Sequence, residues 1–390
     1  MFKILTVNQI SPKGLEKFPK DRYEIANEVG SPDAIMVRST PIKPEDLPPS
    51  LLAIARAGAG VDKICVADCA LKGIPVFNSP GANANSVKEL VMLSLLLASR
   101  GVIRGIRFLD KLATQTNDPK EVIRIVEKEK KNFAGSEIIN NTLGIVGLGA
   151  IGSKVADMAM SMGMTVIGYD PSITVESAWR LSNQVQRIED LPTLLAKSDF
   201  ITLHLPMLES TKYMINDESL QFVKKGARLL NFSREHIVEP NAVVKALDEG
   251  ILSRFITDFP HPVLMGREDI ILMPHIGAST KEAEENCATM AADQLMDFLE
   301  NGNIVNSVNF PSLVLERSSE YRITFSNKNV PNMLGQVLAI LAKNDINVLD
   351  MLNKSRGEIA YSILDIDKPI AEDVIESIRM IPNIYAVRAH

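Results

Sequence analysis

The sequence is short of thiols: 390 residues hold three cysteines, Cys65, Cys69 and Cys287. Three thiols cannot close a paired disulfide framework, and neither Cys65 nor Cys69 has a histidine or cysteine partner at zinc spacing. No metal is therefore expected, and reduced thiols are the expectation for a cytoplasmic protein. Long apolar runs are missing as well. The richest, LVMLSLLLASR from Leu90 to Arg100, is too short and too interrupted to cross a bilayer, so no membrane partner is expected. No charged and apolar leader precedes the segment Phe2–Val7, which argues against a secretory signal. An excess of positive charge is lacking too. The net charge of −6 argues against a nucleic-acid groove and leaves room only for local basic pockets. Repeats and low-complexity tracts are absent. What is present is a globular composition, 46% hydrophobic and 23% charged, on a chain long enough for two or three domains.

One stretch organises the rest. From Thr142 the chain reads TLGIVGLGAIGSKVADMAMSMGMTVIGYDP. An apolar run, Leu143 to Val146, predicts a buried strand. Gly147, Gly149 and Gly152 then form G-x-G-x-x-G, an amphipathic run from Ser153 to Met162 predicts a helix, and Met164 to Gly168 predicts a second strand. The first glycine permits a tight turn, the second lets backbone approach a pyrophosphate, and the third lets helix pack closely on strand. The helix N-terminus offers free N–H groups to phosphate. Asp170 follows the second strand, 18 residues after Gly152. There a carboxylate can accept from the ribose hydroxyls and repel a 2′-phosphate, so NAD is the expected cofactor in preference to NADP.

The flanking pattern is an alternation of short apolar runs with helical stretches. Before residue 85, strands are predicted at Phe2–Val7, Ala34–Val37, Ile54–Ala57 and Val76–Phe77. Ser86 and Glu89 read as a capping box opening a long apolar helix, expected to be buried between domains. Residues 111–137 are charged and read as a solvated connection with a short helix. Further strands are predicted at Asp199–Leu203, Ala227–Phe232, Arg254–Asp258 and Ile270–Met273. Helices are predicted at Asp190–Lys197, Asp217–Lys224 and Pro240–Glu249, and a second capping box, Ser279 with Glu282, opens a helix running to about Leu299. After Pro311 the order changes to strand, helix, two strands, helix, strand, with Pro331 at a helix start, which predicts a ferredoxin-like βαββαβ module. The expected architecture is α/β. A Rossmann-like domain (91–284) is inserted in a flavodoxin-like domain (1–90 and 285–312) and followed by a C-terminal ferredoxin-like module (318–390).

In open parallel sheets, ligands sit beyond the C-terminal strand ends. Ser233 and Arg234, Asp258 and His275 all fall there. Hydride exchange with a 2-hydroxy acid needs a proton donor and acceptor titrating near neutrality, a cation for the carboxylate, and a fixed nicotinamide face. His275, Arg234 and Asp258 suit these needs in turn. Taken singly, each also fits a plain structural role: a packed histidine, a surface ion pair, a loop cap. Arg38 and Ser39 follow one N-terminal strand, and Gly58, Ala59, Gly60 and Val61 follow another. Such ends offer a guanidinium and backbone N–H groups to carboxylate or phosphate, or simply a tight turn.

These motifs, in this order, resemble the D-isomer-specific 2-hydroxyacid dehydrogenases, and most closely the phosphoglycerate-oxidising branch of short type. The resemblance rests on VRST, ARAGAGVD, VFNSPGANANSVKEL, GIVGLGAIG, PHIGAST with EENCA, and NGNIVNSVNFP, and the tail looks like that branch's ACT domain. It implies NAD-dependent oxidation of 3-phosphoglycerate to 3-phosphohydroxypyruvate, the first step of serine synthesis. It places acid–base work on His275 and substrate orientation on Arg234, with substrate anions at Arg38, Ser39 and the Gly58–Val61 amides. NAD contacts map to Ser79, Ala150, Ile151, Asp170, Leu205, Phe232, Ser233, Asp258 and Gly277. The resemblance further implies a homodimer or homotetramer, and L-serine as effector at Asn327, Asn329 and Asn347. The chain departs from the pattern at five places, one of them Asn327, which stands where some serine-regulated members have histidine. Pro262 stands where the family has a glutamate paired with the histidine; Glu268, nearby in sequence, could substitute only if the loop folds back. Glu235 stands where glycine follows the arginine, Ile139-Asn140-Asn141 lacks the lysines some members carry, and in the ACT module Asn332 replaces a glycine. Without a carboxylate beside it, His275 is expected to titrate lower and be less well oriented. Two other readings follow: a hydroxypyruvate or glyoxylate reductase, or a weakly catalytic binder of NAD and an amino acid.

Overall fold

The structure is a computed structural model describing residues 1–390 apart from the side chain of Glu176. It divides into two compact units, one made of Met1–Asn83 with Thr280–His390, the other of Ala84–Ser279.

In the first unit, β1 (Phe2–Val7), β2 (Tyr23–Ala26), β3 (Ala34–Val37), β4 (Ala53–Arg56) and β5 (Val76–Phe77) form one sheet in the order β2-β1-β3-β4-β5. All four pairings are parallel, the flavodoxin-like arrangement expected. The helix Lys281–Asn301 returns to cover one face, burying Ala288, Ala291, Ala292, Leu295 and Phe298 in the same cluster as Ile4, Met36 and Phe77. Its alanines matter, because they let the backbone of Gly14 come so close that a Cβ there would sit 2.6 Å from the Ala288 Cβ. This helix is capped by Thr280, whose side chain accepts from the Ala283 N–H; the expected cap one residue earlier, Ser279, is not used.

In the second unit, β6 (Thr142–Val146), β7 (Thr165–Tyr169), β8 (Gln186–Arg187), β9 (Phe200–Leu203), β10 (Ala227–Asn231), β11 (Leu252–Thr257) and β12 (Ile270–Leu272) run in the order β12-β11-β10-β9-β6-β7-β8. Every pairing is parallel, and the order reverses at β6, which puts the switch point at the end of the strand feeding the glycine loop. The helix Ala84–Ser99 belongs to this unit: Val87, Val91 and Leu95 pack in one cluster with Val155, Ala156 and Ala159 of the helix Ala150–Ser161. It begins at Ala84, so Ser86 does not cap it. The Ser86 hydroxyl instead donates to the Gly277 carbonyl at 2.7 Å, fixing the loop that follows β12. Residues 102–133 are more helical than expected, with helices at Val102–Ala113 and Pro119–Glu129, while the helix expected over Asp217–Lys224 stops at Leu220.

The C-terminal part of the first unit is the βαββαβ module. Strands β13 (Tyr321–Lys328), β14 (Val348–Arg356), β15 (Ile359–Ile366) and β16 (Ile384–Ala389) form an antiparallel sheet in the order β14-β15-β13-β16, with helices at Met333–Lys343 and Glu372–Arg379. Pro331 is not the first helical residue; Asn332, at φ +67°, is the N-cap. Strand alternation splits β13 between two environments. Ile323 and Phe325 pack under the helices with Val337, Leu341 and Ile378. Arg322, Thr324 and Ser326 take the other face, which is buried against the first unit's own α/β layer. There Arg322 donates to Asp365 at 2.6 and 3.0 Å and to the Asn301 carbonyl at 3.0 Å, and Tyr361 donates to the Gly302 carbonyl at 2.8 Å. Arg388 donates to the Leu299 carbonyl at 3.0 Å and lies over the Phe298 ring. The module is thereby tied to the C-terminal end of helix Lys281–Asn301, whose last carbonyls need partners. No described helix is long and apolar enough to cross a membrane, and no described cluster of His, Cys, Asp or Glu could hold a metal.

Candidate active site

In the second unit the glycine loop has the geometry its chemistry requires. Gly147 has φ +95°, a conformation strained for any side chain, and a Cβ there would lie 2.4 Å from the His204 carbonyl oxygen. A Cβ on Gly152 would lie 2.0 Å from the Gly147 carbonyl oxygen, whereas one on Gly149 would meet nothing within 4 Å. The first and third glycines are therefore set by packing, and the second leaves open space at the start of helix Ala150–Ser161, with the Ala150 and Ile151 amides at its first turn. That is the form of a pyrophosphate cradle. Asp170 accepts from the Leu148 N–H at 2.8 Å and from the Ser172 N–H at 3.0 Å, which holds the carboxylate over the loop at the β7 end. Leu205 packs its side chain against Gly147. These residues fit a dinucleotide with free ribose hydroxyls. Replacing Gly152 by Ala is expected to weaken NADH binding about ten- to a hundredfold, in line with overpacking costs of about 1–3 kcal/mol; fluorescence titration of the cofactor measures it.

Beyond β10, Asn231 organises the next turn. Its side-chain oxygen accepts from the Ser233 N–H and hydroxyl at 3.2 and 3.0 Å, and its amide donates to the Arg234 carbonyl at 2.8 Å. Phe232 and Ser233 are buried, and the Arg234 guanidinium donates to the Ser233 carbonyl at 2.7 Å. Asn231 was not singled out from sequence, although a buried asparagine ending a strand signals such a turn.

Asp258 is buried at the end of β11, and its two oxygens accept from the N–H groups of Ile276 and Gly277 at 2.8 and 2.6 Å. The aspartate therefore clamps the loop that carries His275, a task distinct from the carboxamide contact expected of it. A Cβ on Gly277 would come within 3.0 Å of that carboxylate. His275 has φ +56° and is exposed, and its ring stands edge-on to Phe259 at 5.0 Å between centroids. Among the described residues of this unit, no carboxylate is hydrogen-bonded to the His275 ring. Glu268 does not fill that place: it precedes β12 while His275 follows it, and Glu268 lines a cavity with Arg104 and Arg254. Pro262 is exposed and opens a single 3-10 turn, Pro262–Leu264, capped by the His261 side chain.

Two other histidines are excluded from acid–base work near neutrality. Burial pushes His204 down to about 3, and burial together with nearby arginines does the same to His390. The cysteines are equally unreactive. Burial raises Cys65 and pushes Cys69 up to about 12 and Cys287 up to about 11.

In the first unit the predicted anion-binding residues lie together at the ends of β3 and β4. Arg56 ties them: its guanidinium donates to the Arg38 carbonyl at 3.0 Å and also to the Gly60 carbonyl. Asn78 donates to the Ala59 carbonyl at 2.5 Å, and the Ser79 N–H donates to the Gly58 carbonyl at 2.9 Å. The Gly58–Val61 loop is thus held through its carbonyls. Ser39 donates its N–H to Asn8 Oδ1 at 3.1 Å, and Arg38 is hydrogen-bonded to Glu284. The Ser79 hydroxyl is buried and donates to the Cys287 carbonyl at 2.9 Å, so that side chain braces the fold. Arg56, Asn78 and Asn8 were missed from sequence because each acts on residues brought near only by the sheet.

In the C-terminal module, Asn327 donates to the Lys328 carbonyl at 2.7 Å while its own side-chain oxygen is buried without a partner. Asn329 donates to the Gly357 carbonyl at 3.2 Å, and the Asn347 N–H donates to Asp367 at 3.0 Å.

A parallel sheet with a glycine loop at its switch point, an acidic β7 end and a histidine beyond β12 defines a nicotinamide-dependent dehydrogenase of 2-hydroxy acids. Comparison with known proteins agrees: the model of the D-isomer specific 2-hydroxyacid dehydrogenase NAD-binding domain matches residues 101–277. D-3-phosphoglycerate dehydrogenase of Dictyostelium discoideum is 33% identical over 345 residues, 85% of this chain and 80% of that protein. The enzyme of the same name from Methanocaldococcus jannaschii is 31% identical over 360 residues, 89% of this chain but 64% of its own longer one. Among solved structures, the NAD+-bound 3-phosphoglycerate dehydrogenase of Entamoeba histolytica superposes with a TM-score of 0.63 at 26% identity, covering 80% of this chain and 99% of that one. The chain belongs to the D-isomer-specific 2-hydroxyacid dehydrogenase family, in the branch of the D-3-phosphoglycerate dehydrogenases.

Proposed function

We propose that the protein catalyses the NAD-dependent interconversion of 3-phosphoglycerate and 3-phosphohydroxypyruvate. The observation that carries this reading is the family match together with an intact Gly147–Gly152 loop and a His275 loop clamped by Asp258. NAD, when bound, supplies the hydride acceptor; Gly147, Gly149, Ala150, Ile151, Gly152 and Asp170 would hold it, with Leu205, Phe232, Ser233 and Gly277 beside it. His275 takes the proton from the substrate C2 hydroxyl on oxidation and returns it on reduction. Arg234 binds the carboxylate and polarises the C2 oxygen. Arg38, Ser39 and the Gly58–Val61 amides take the substrate's anionic ends. We read domains 1–90 with 285–312, 91–284 and 318–390 as the substrate, cofactor and regulatory parts.

The test is NADH oxidation with 3-phosphohydroxypyruvate at neutral pH, beside hydroxypyruvate and glyoxylate. A preference of at least about tenfold in kcat/KM for the phosphorylated substrate, about 1.4 kcal/mol, is expected. No turnover by folded, NADH-binding protein overturns the reading. Because the turn at Pro262 is exposed and a glutamate suits a first-turn position, Pro262→Glu is expected to raise kcat and shift the activity profile to higher pH. An unchanged rate and profile would show that the missing carboxylate is not what limits this site.

L-serine is our proposed effector, at Asn327, Asn329 and Asn347; the unpartnered Asn327 oxygen supports it by offering an acceptor to an ammonium. Saturable inhibition by serine, lost in Asn347→Ala, is the check. A homodimer is favoured by the exposed Leu93, Leu96, Ile106 and Leu109 on two helices of the nucleotide unit, and the three free thiols favour a cytoplasmic setting.

A further inference from the structure

At the end of the nucleotide sheet opposite the glycine loop, arginines converge without matching carboxylates. A cavity of about 220 Å³ lies between helix Val102–Ala113 and edge strand β12, lined by Arg100, Arg104, Arg107 and Arg254. A second cavity of about 420 Å³ adjoins it, sharing Arg104, Arg254 and Glu268. Arg104 and Arg107 fall three residues apart on that helix, a spacing that brings side chains to one face, and Arg100 stands just before its N-cap, Gly101. Arg254 reaches the same space from the third position of β11.

The arginines outnumber the carboxylates around them, Glu268 lining both cavities and Asp269 the second. Among the described residues, no carboxylate forms an ion pair with Arg100, Arg104, Arg107 or Arg254. Arg267 nearby is different, since Asp248 and Asp269 both bind it, at 2.8 and 2.7 Å. The Arg104 guanidinium donates to the Asn132 carbonyl at 3.0 Å, but its Nε is buried with no partner. Arg254 has one weak contact, to the Glu268 carbonyl at 3.4 Å. Burial pushes Arg254 downward, and the like charges of Arg104 and Arg228 add to that against the opposing pull of Asp269. Glu268 is the single carboxylate-bearing residue lining the first cavity. Guanidinium groups sharing a half-enclosed space are matched by an anion presenting several oxygens, and the planar fork of arginine suits tetrahedral oxyanions in particular.

We propose that this cavity binds a small multivalent oxyanion of the phosphate class, at a site separate from cofactor and substrate. Inorganic phosphate and pyrophosphate share that chemistry; the smaller cavity fits the first, and the two joined fit the second. Occupancy would tie helix Val102–Ala113 to the β11 and β12 edge of the sheet and stabilise the nucleotide unit.

The test uses the full chain with saturating NADH, so that the glycine loop does not contribute. Chloride is exchanged for phosphate, or for pyrophosphate, at constant ionic strength, and melting is followed in the wild type and in the Arg104→Gln/Arg254→Gln double variant. The wild type is expected to show a saturable rise in Tm. The double variant is expected to lack that rise, to bind NADH as the wild type does, and to melt higher than the wild type in chloride because repulsion is relieved. A larger response to pyrophosphate assigns the joined cavity, and an equal response assigns the smaller one. An undiminished response in the double variant overturns the proposal, as does a response that grows with the phosphate concentration without saturating. It is also overturned if phosphate has no effect and the double variant sediments as a smaller species, since the arginines then serve a contact between copies of the chain.

Discussion

Replacing His275 by Asn is expected to lower kcat by about 10²–10⁴-fold while leaving NADH affinity within about twofold of the wild type. The split follows from position. His275 lies on the loop after β12, and its ring touches Phe259 rather than any part of the Gly147–Gly152 cradle. The loss is larger than that of a surface residue because His275 is the proposed proton carrier, and neither His204 nor His390 can replace it: burial holds both far below neutrality, at about 3 each. Asp258→Ala is expected to reproduce part of the loss, since it releases the Ile276 and Gly277 N–H groups that fix the same loop. An equal fall in NADH affinity in His275→Asn would mean that the residue supports cofactor binding instead. Stopped-flow NADH oxidation and a parallel fluorescence titration separate the two.

Replacing Arg322 by Ala is expected to cost about 3–5 kcal/mol of stability, because it strands Asp365 in a fully buried position. Burial alone would raise the Asp365 carboxyl, but the hydrogen bonds from Arg322 and Ser318 outweigh it and the net shift is downward. The double change Arg322→Met/Asp365→Leu is expected to recover much of the loss, since no charge is then left unpaired. Urea unfolding followed by tryptophan-independent far-UV dichroism measures both. If the single variant loses less than about 1 kcal/mol, the module is not held by this pair. The same interface has a pH signature. His390 is kept neutral with its folded value depressed to about 3, so its contribution is present above the ordinary histidine range near 6.5 and is lost as the pH falls through that window. The lowered Asp365 adds a further loss below the ordinary carboxylate range near 4.

The cofactor unit was the most legible part of the chain because its chemistry demands local patterns. A phosphate cradle needs glycines at fixed offsets between a strand and a helix, and the structure finds Gly147 and Gly152 packed too tightly for any Cβ. The βαββαβ order was equally readable from alternation and turn residues. What escaped were features decided by tertiary contact. Strands β2 and β8 were missed; Gln186–Arg187 is a polar pair that becomes a strand only because β7 offers it an edge. Ser86 with Glu89 has the form of a capping box, yet the serine serves the Gly277 carbonyl 191 residues away. Arg322 sits in a strand where an arginine ordinarily marks a solvated face, and only the docking of the module on helix Lys281–Asn301 shows it to be buried. The same reason hides Arg56, which staples two loops contributed by different strands.

The most direct test of the central claim is the fate of a label. With NADH deuterated at nicotinamide C4 on the transferred face, 3-phosphohydroxypyruvate should yield 3-phosphoglycerate carrying one deuterium at C2, and His275→Asn should slow that transfer without redirecting it. NADH consumption with no deuterium at C2 of the product would contradict the account.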